Sequence, residues 1–190
     1  MAMKTKQELK DVFNGVSSLL FQAAAVDWDG SGAIALVPEY DLPITVDTLQ
    51  ITQDDPTVNH YKIIGLDGDW TSSATLGDMT IQFTVPTKAN DVLKLAYGDD
   101  AVKESVAATL DGFNYSGSAL TIKKKKVTGT FILVNEEKDQ IMVMSGVALW
   151  AKPLYENPGT EPFAIQFTGT METDGNPNFA FLKKGEPVGE

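Results

Sequence analysis

No cysteine and no arginine occur among the 190 residues, and there is a single histidine, His60. The missing thiols exclude a disulfide framework, thiol catalysis and thiolate-bound metal. Without guanidinium groups the chain lacks the side chain that grips phosphate in bidentate fashion. With 15 lysines against 26 acids its formal net charge is -11, so it is not built to hold nucleic acid. No apolar run approaches the roughly 18 residues of a membrane-spanning helix. Ser17 to Val26 has an apolar centre like that of a signal peptide. Gln22 interrupts it, and Glu8 and Asp11 stand where a basic region belongs, so synthesis in the cytoplasm is expected. There is no Gly-x-Ser-x-Gly elbow and no glycine-rich phosphate loop, so neither a catalytic centre nor a nucleotide cofactor is expected.

What is present is ordinary for a folded protein: 43% hydrophobic and 22% charged residues, with 16 glycines and 9 prolines that punctuate short elements. A single, mainly β domain over residues 41–190 is expected, preceded by an arm at residues 1–40. The strongest pattern is Ile141 to Leu154, one long strand with apolar side chains on both faces. Ile141, Val143, Val147 and Leu149 lie on one side, and Met142, Met144, Ala148 and Trp150 on the other. A strand at a sheet surface alternates apolar with polar, so this one needs cover twice, from its own chain and from a neighbouring copy. Exposure of Met142, Met144 and Trp150 in an isolated subunit is the corresponding expectation.

Other elements follow from periodicity and turn chemistry. Residues 4–13 read as a short amphipathic helix stopped by Asn14-Gly15. Ile44 to Thr52 and Tyr61 to Leu66 read as a hairpin around Asp54-Asp55-Pro56, and Met79 to Val85 as a strand ended by Pro86. Asn90 to Leu95 and Ala101 to Leu110 carry helical patterns with aspartate and asparagine caps. Strands are expected again at Leu120 to Lys126, Thr128 to Asn135, Phe163 to Met171 and Phe179 to Leu182.

Four features invite a chemical reading. His60 as a catalytic base would need a serine and a carboxylate gathered by folding, so a surface position on a strand is expected instead. The acidic pairs Asp54 and Asp55, and Asp67 and Asp69, read as turn residues rather than as glycosidase carboxylates. Asp27, Asp29, Ser31, Gly32 and Ile34 match the opening positions of a calcium loop, but position twelve is Pro38 where a closing glutamate belongs, so a surface turn is favoured. Lys123 to Lys126 is the basic run, read either as protection of an exposed strand edge or as a contact to an acidic neighbouring subunit.

The order of elements, with Leu42-Pro43-Ile44-Thr45-Val46-Asp47, Gly77-Asp78 leading to Pro86, Gly129-Thr130-Phe131-Ile132-Leu133, Val147-Ala148-Leu149-Trp150-Ala151 and Phe163 to Thr170, resembles the major tail tube protein of long-tailed bacteriophages. The likeness spans roughly residues 40–182. It implies a β-sandwich or barrel-like subunit, with one or two short helices, that self-assembles into hexameric rings. Stacked rings would form a hollow virion tail, assembled in the host cytoplasm and joined to other tail and tail-tip proteins. An acidic lumen would conduct DNA without binding it. The residues expected at assembly contacts are Asp54, Asp55, His60, Lys123, Lys125, Met142, Met144 and Trp150. The rival expectation is a carbohydrate-binding β-sandwich module that uses Trp28, Trp70 or Tyr155.

Overall fold

In the computed structural model, which describes residues 4–6, 10–26, 28, 34–45, 47–172, 177 and 179–186, the chain is mainly β, with 48% of its residues in strands and one α-helix. The first strands are β1 (Ser18–Gln22), β2 (Tyr40–Leu42), β3 (Gln50–Gln53), β4 (Thr57–Tyr61), β5 (Thr71–Thr75) and β6 (Met79–Val85). Helix α1 (Asn90–Tyr97) and a 3-10 turn at Asp99–Ala101 follow. Then come β7 (Val102–Leu110), β8 (Phe113–Leu120), β9 (Val127–Val134), β10 (Gln140–Leu154), β11 (Ala164–Met171) and β12 (Ala180–Lys183). No described helix is long and apolar enough to cross a membrane.

Two compact units result, and β10 runs through both. The first comprises Met1–Ile44, Thr128–Val147 and Thr173–Glu190. Its sheet runs β2-β1-β9-β10, with β12 also on β10. Antiparallel register places Leu19 opposite both Leu42 and Leu133, and Phe21 opposite Tyr40 and Phe131, so these apolar side chains share one face. The Phe21 and Phe131 rings lie 4.9 Å apart. Gly129 is required beside them, because a Cβ there would meet the Gln22 carbonyl oxygen and the Phe21 ring. Gln22 is buried, with its amide donating to Ala24 O at 3.2 Å and accepting Val37 N–H at 3.0 Å. The loop from β9 to β10 is closed by Asn135, whose Oδ1 accepts the Asp139 and Gln140 amides at 3.0 Å.

The second unit, Thr45–Val127 with Ala148–Glu172, contains the sheet order β10-β11-β6-β3, two separate hairpins and α1. Ile51 pairs with Ile81, Ile81 with Gly169, Phe83 with Phe167, and Val85 with Ile165, so one face is the core. The Phe83 and Phe167 rings stack at 5.1 Å. The opposite face pairs Gln166 with Thr84, Thr168 with Gln82, Thr170 with Thr80, Gln50 with Gln82 and Thr52 with Thr80.

Periodicity misreads several segments. Described residues 4–6 and 10–13 form no helix. Instead Phe13 meets the Phe181 ring edge-on, and Asp11 pairs with Lys183 at 2.9 Å along β12. Of Ile44 to Thr52 only β3 is strand. Asp47 is in a turn, the Thr48 hydroxyl donates to Thr45 O at 2.7 Å, and Val46 lies outside the described residues. Nor does Tyr61 to Leu66 answer it. Gly65 and Gly68, both at positive φ, turn the chain there, so β4 pairs with β5 while β3 pairs with β6. Ala101 to Leu110 is a strand beyond its first residue, not a second helix. Residues 121–126 form no strand, and β8 takes the place just before them.

The long strand is covered from within. Met142, Val143, Met144, Ser145, Val147, Ala148 and Leu149 are all buried in the isolated chain. The expected exposure of Met142 and Met144 therefore fails, whereas Trp150 is 36% exposed. Simple alternation also stops at Gly146, whose φ of 65° is left-handed backbone that lets a strand kink.

Candidate assembly surface

Among the described residues, the strands of the β7–β8 hairpin pair only with each other, as a two-stranded ribbon. Its turn is Asp111-Gly112, at φ values of 50° and 80°. Two successive positive φ angles are what a tight hairpin turn needs to match strand twist, and Asp-Gly is among the pairs that supply them. Register sets Leu110 opposite Phe113, Ala108 opposite Tyr115 and Val106 opposite Gly117. Directly opposed residues share a face, so these form one apolar side. Thr109 opposite Asn114 and Ala107 opposite Ser116 form the other, where the Thr109 hydroxyl donates to Asn114 Oδ1 at 3.1 Å. Leu110, Phe113 and Tyr115 are 62%, 69% and 55% exposed, so nothing among the described residues covers the apolar side.

The root of the ribbon is anchored. A register shift between Lys103 and Val106, with Ser105 at a φ of 58°, bends the strand beside Glu104. Glu104 pairs with Lys94 of α1 at 2.6 Å. That hydrogen bond and the glutamate charge raise the Lys94 ammonium above its ordinary value, and the same contact, with a smaller contribution from Asn90, holds the Glu104 carboxyl below its own. Lys123 reaches Asp100 at 2.5 Å, lowering that carboxyl through the hydrogen bond and then through its charge. Lys125 donates to Lys94 O at 3.1 Å, and the Thr121 amide to Ala101 O at 2.8 Å. Deeper in, Tyr97 is 2% exposed, its hydroxyl has no hydrogen-bond partner among the described residues, and burial pushes its phenol up.

The tetralysine is therefore not an edge strand. Lys123, Lys125 and Lys126 are engaged within the chain, the last with Glu172 at 2.6 Å, which leaves Lys124 as the member with no ion pair or side-chain hydrogen bond among the described residues. Asp54 and Asp55 lie in the turn between β3 and β4. The Asp54 amide donates to Asp78 O at 3.0 Å, and Gly77 packs against the Asp54 backbone where a Cβ would collide. His60 sits on exposed β4, with Nδ1 2.5 Å from Asp69 Oδ2 across the mouth of the 62–70 loop. That loop exposes Ile63, Ile64, Leu66 and Trp70. Tyr155 is also exposed and Trp28 half-buried. The calcium-loop candidates Asp27, Asp29, Ser31 and Gly32 lie outside the described residues. Among the residues described, no cluster of three or more histidine or acidic side chains is arranged to hold a metal.

The predicted contacts are thus scattered over the second unit and the buried strand, whereas the uncovered apolar ribbon face was not anticipated. Its signal was Asp111-Gly112 between two runs that alternate apolar and small or polar residues. No protein-family model and no curated protein matches the chain.

Proposed function

We propose that the protein is a structural subunit that self-assembles into stacked, hexameric rings, forming the hollow tail tube of a bacteriophage and conducting DNA. The observation that carries this reading is the β7–β8 ribbon. A two-stranded hairpin is marginal in water, and this one presents an apolar face that no described residue covers. Burying Leu110 and Phe113 stabilises a contact by about 1.5–3 kcal/mol each. Repeated around a ring and between rings, such contacts sum. A patch on one copy that seats on a different surface of the next is a head-to-tail contact, the kind that generates rings and tubes.

Sedimentation velocity and negative-stain microscopy of the purified chain test the reading, with rings or tubes as the expected result. A stable monomer at high concentration would overturn it. The rival, a carbohydrate-binding module, draws on exposed Trp70 and Tyr155. It requires a monomer that binds glycans and loses that binding on Trp70→Ala.

A further inference from the structure

Two apolar surfaces of the second unit lie uncovered among the described residues. One is the β7–β8 face with Leu110, Phe113 and Tyr115; the other is the 62–70 loop at the end of the β4–β5 hairpin, with Ile63, Ile64 and Leu66. A Cβ at Gly65 or Gly68 would meet nothing within 4 Å, so the loop's turns stand clear of the rest of the unit. The two surfaces differ in charge. Residues 102–126 hold five lysines against Glu104 and Asp111, whereas residues 50–78 hold five aspartates against Lys62. Lys103 lies opposite Ala119, and Ala119 follows Phe113, Tyr115 and Gly117 at period two along β8, so the register shift in β7 puts Lys103 on the apolar face. Lys103 and Asp67 of the loop are both exposed, and neither has an ion pair among the described residues.

We infer that the 62–70 loop of one copy seats on the β7–β8 face of the next, with Asp67 set against Lys103. The inference rests on the self-assembly proposed above and names the two surfaces that meet. Ribbon on ribbon would join two surfaces with an excess of lysine, and loop on loop two with an excess of aspartate. The mixed contact alone joins opposite charges around an apolar centre. Leu110, Phe113 and Tyr115 each expose more than half of their surface, roughly 300–400 Å² together when a covered aromatic side chain counts for about 150–250 Å². A stable pairwise contact covers about 800 Å² per partner, so one loop on one ribbon forms the apolar core of an interface and not the whole of it. Closure of a ring supplies the rest, because every copy then gives one loop and receives another.

The chain contains no cysteine, so single cysteines report the contact without background. Ile64→Cys and Leu110→Cys chains, one of them tagged so that the products separate on a gel, are mixed, assembled and treated with a short bis-maleimide. The expected product joins position 64 of one chain to position 110 of the other, in excess of either homodimer. An exchange of charge checks the polarity of the contact. Lys103→Glu and Asp67→Lys should each weaken association about fivefold, and the double variant should recover it, while the melting temperature of the dilute chain stays unchanged. Rings whose cross-links join 110 only to 110, or that give no cross-link, overturn the inference and leave the ring-and-tube reading standing. So does a double variant that associates no better than the single ones. Absence of assembly in the unsubstituted chain removes the ring-and-tube reading itself, and this inference with it.

Discussion

Glu104 and Lys94 meet at 2.6 Å, joining the bent root of the β7–β8 ribbon to helix α1. The ribbon is thus held firmly at its root and left bare toward its tip, the arrangement of an arm that reaches beyond its own chain.

That anchor should depend on pH at both ends of the scale. Glu104 and Asp100 have lowered pKa values in the folded state, so their contribution is present above their unfolded values and lost as pH falls through the folded ones. Lys94 is raised, so its contribution is present below its unfolded value and lost as alkaline pH passes the folded one. Amide exchange, corrected for intrinsic rates, should show residues 102–106 losing protection in acid before the sheet amides of β6 and β11 do. Simultaneous loss in all three would contradict the assignment.

At the ribbon's tip, Gly112→Ala isolates the cost of conformation. The added Cβ meets nothing within 4 Å, but φ is 80°. The expected penalty is about 1 kcal/mol, confined to the hairpin. Amide exchange in β7 and β8 should report it, and the global unfolding midpoint should not move.

Gly169→Ala should behave in the opposite way. Here the new Cβ would collide with the Ala148 carbonyl oxygen and the Leu149 backbone, which cannot swing aside like a flexible side chain. A global loss of about 3 kcal/mol is expected in urea denaturation.

Phe113→Ser removes an exposed ring from the ribbon's apolar face. Monomer stability should change by less than about 0.5 kcal/mol, because the ring packs on little within the chain. Association should weaken by about tenfold or more per contact, as read by sedimentation. Association unchanged by this substitution would remove the ribbon from the assembly contact.

Met142→Ala and Trp150→Ala separate cover by the chain from cover by a neighbour. Met142 is buried in the single chain, so its truncation should destabilise the monomer by about 2–5 kcal/mol. Trp150 is partly exposed, so its truncation should cost the monomer less and act more on association.

Much of the fold was legible because it is local. Pro86 after an alternating run marked β6, Asn135 to Asp139 marked the turn into β10, and Asn90 onward marked α1. Each signal lies within a few residues of the element it specifies. The candidate surface was less legible. Val106, Ala108 and Leu110 are compatible with a helix face and with a strand face, and Asp111-Gly112 decides between them only once Phe113 and Tyr115 are recognised as the returning strand. The acidic loop, His60 and the lysines were visible as residue types, but their partners Asp69, Asp100 and Lys94 are supplied by folding.

By itself the sequence determined the mainly β character, the position of its longest strand and the absence of arginine and thiol chemistry, because composition and period two need no tertiary contact to be expressed. Tertiary structure alone decided that Met142 and Met144 are covered while Leu110 and Phe113 are not, and that eight threonines and glutamines from three distant segments share one face. Cover and register join residues far apart in the chain, and only the pairing of strands brings those residues together.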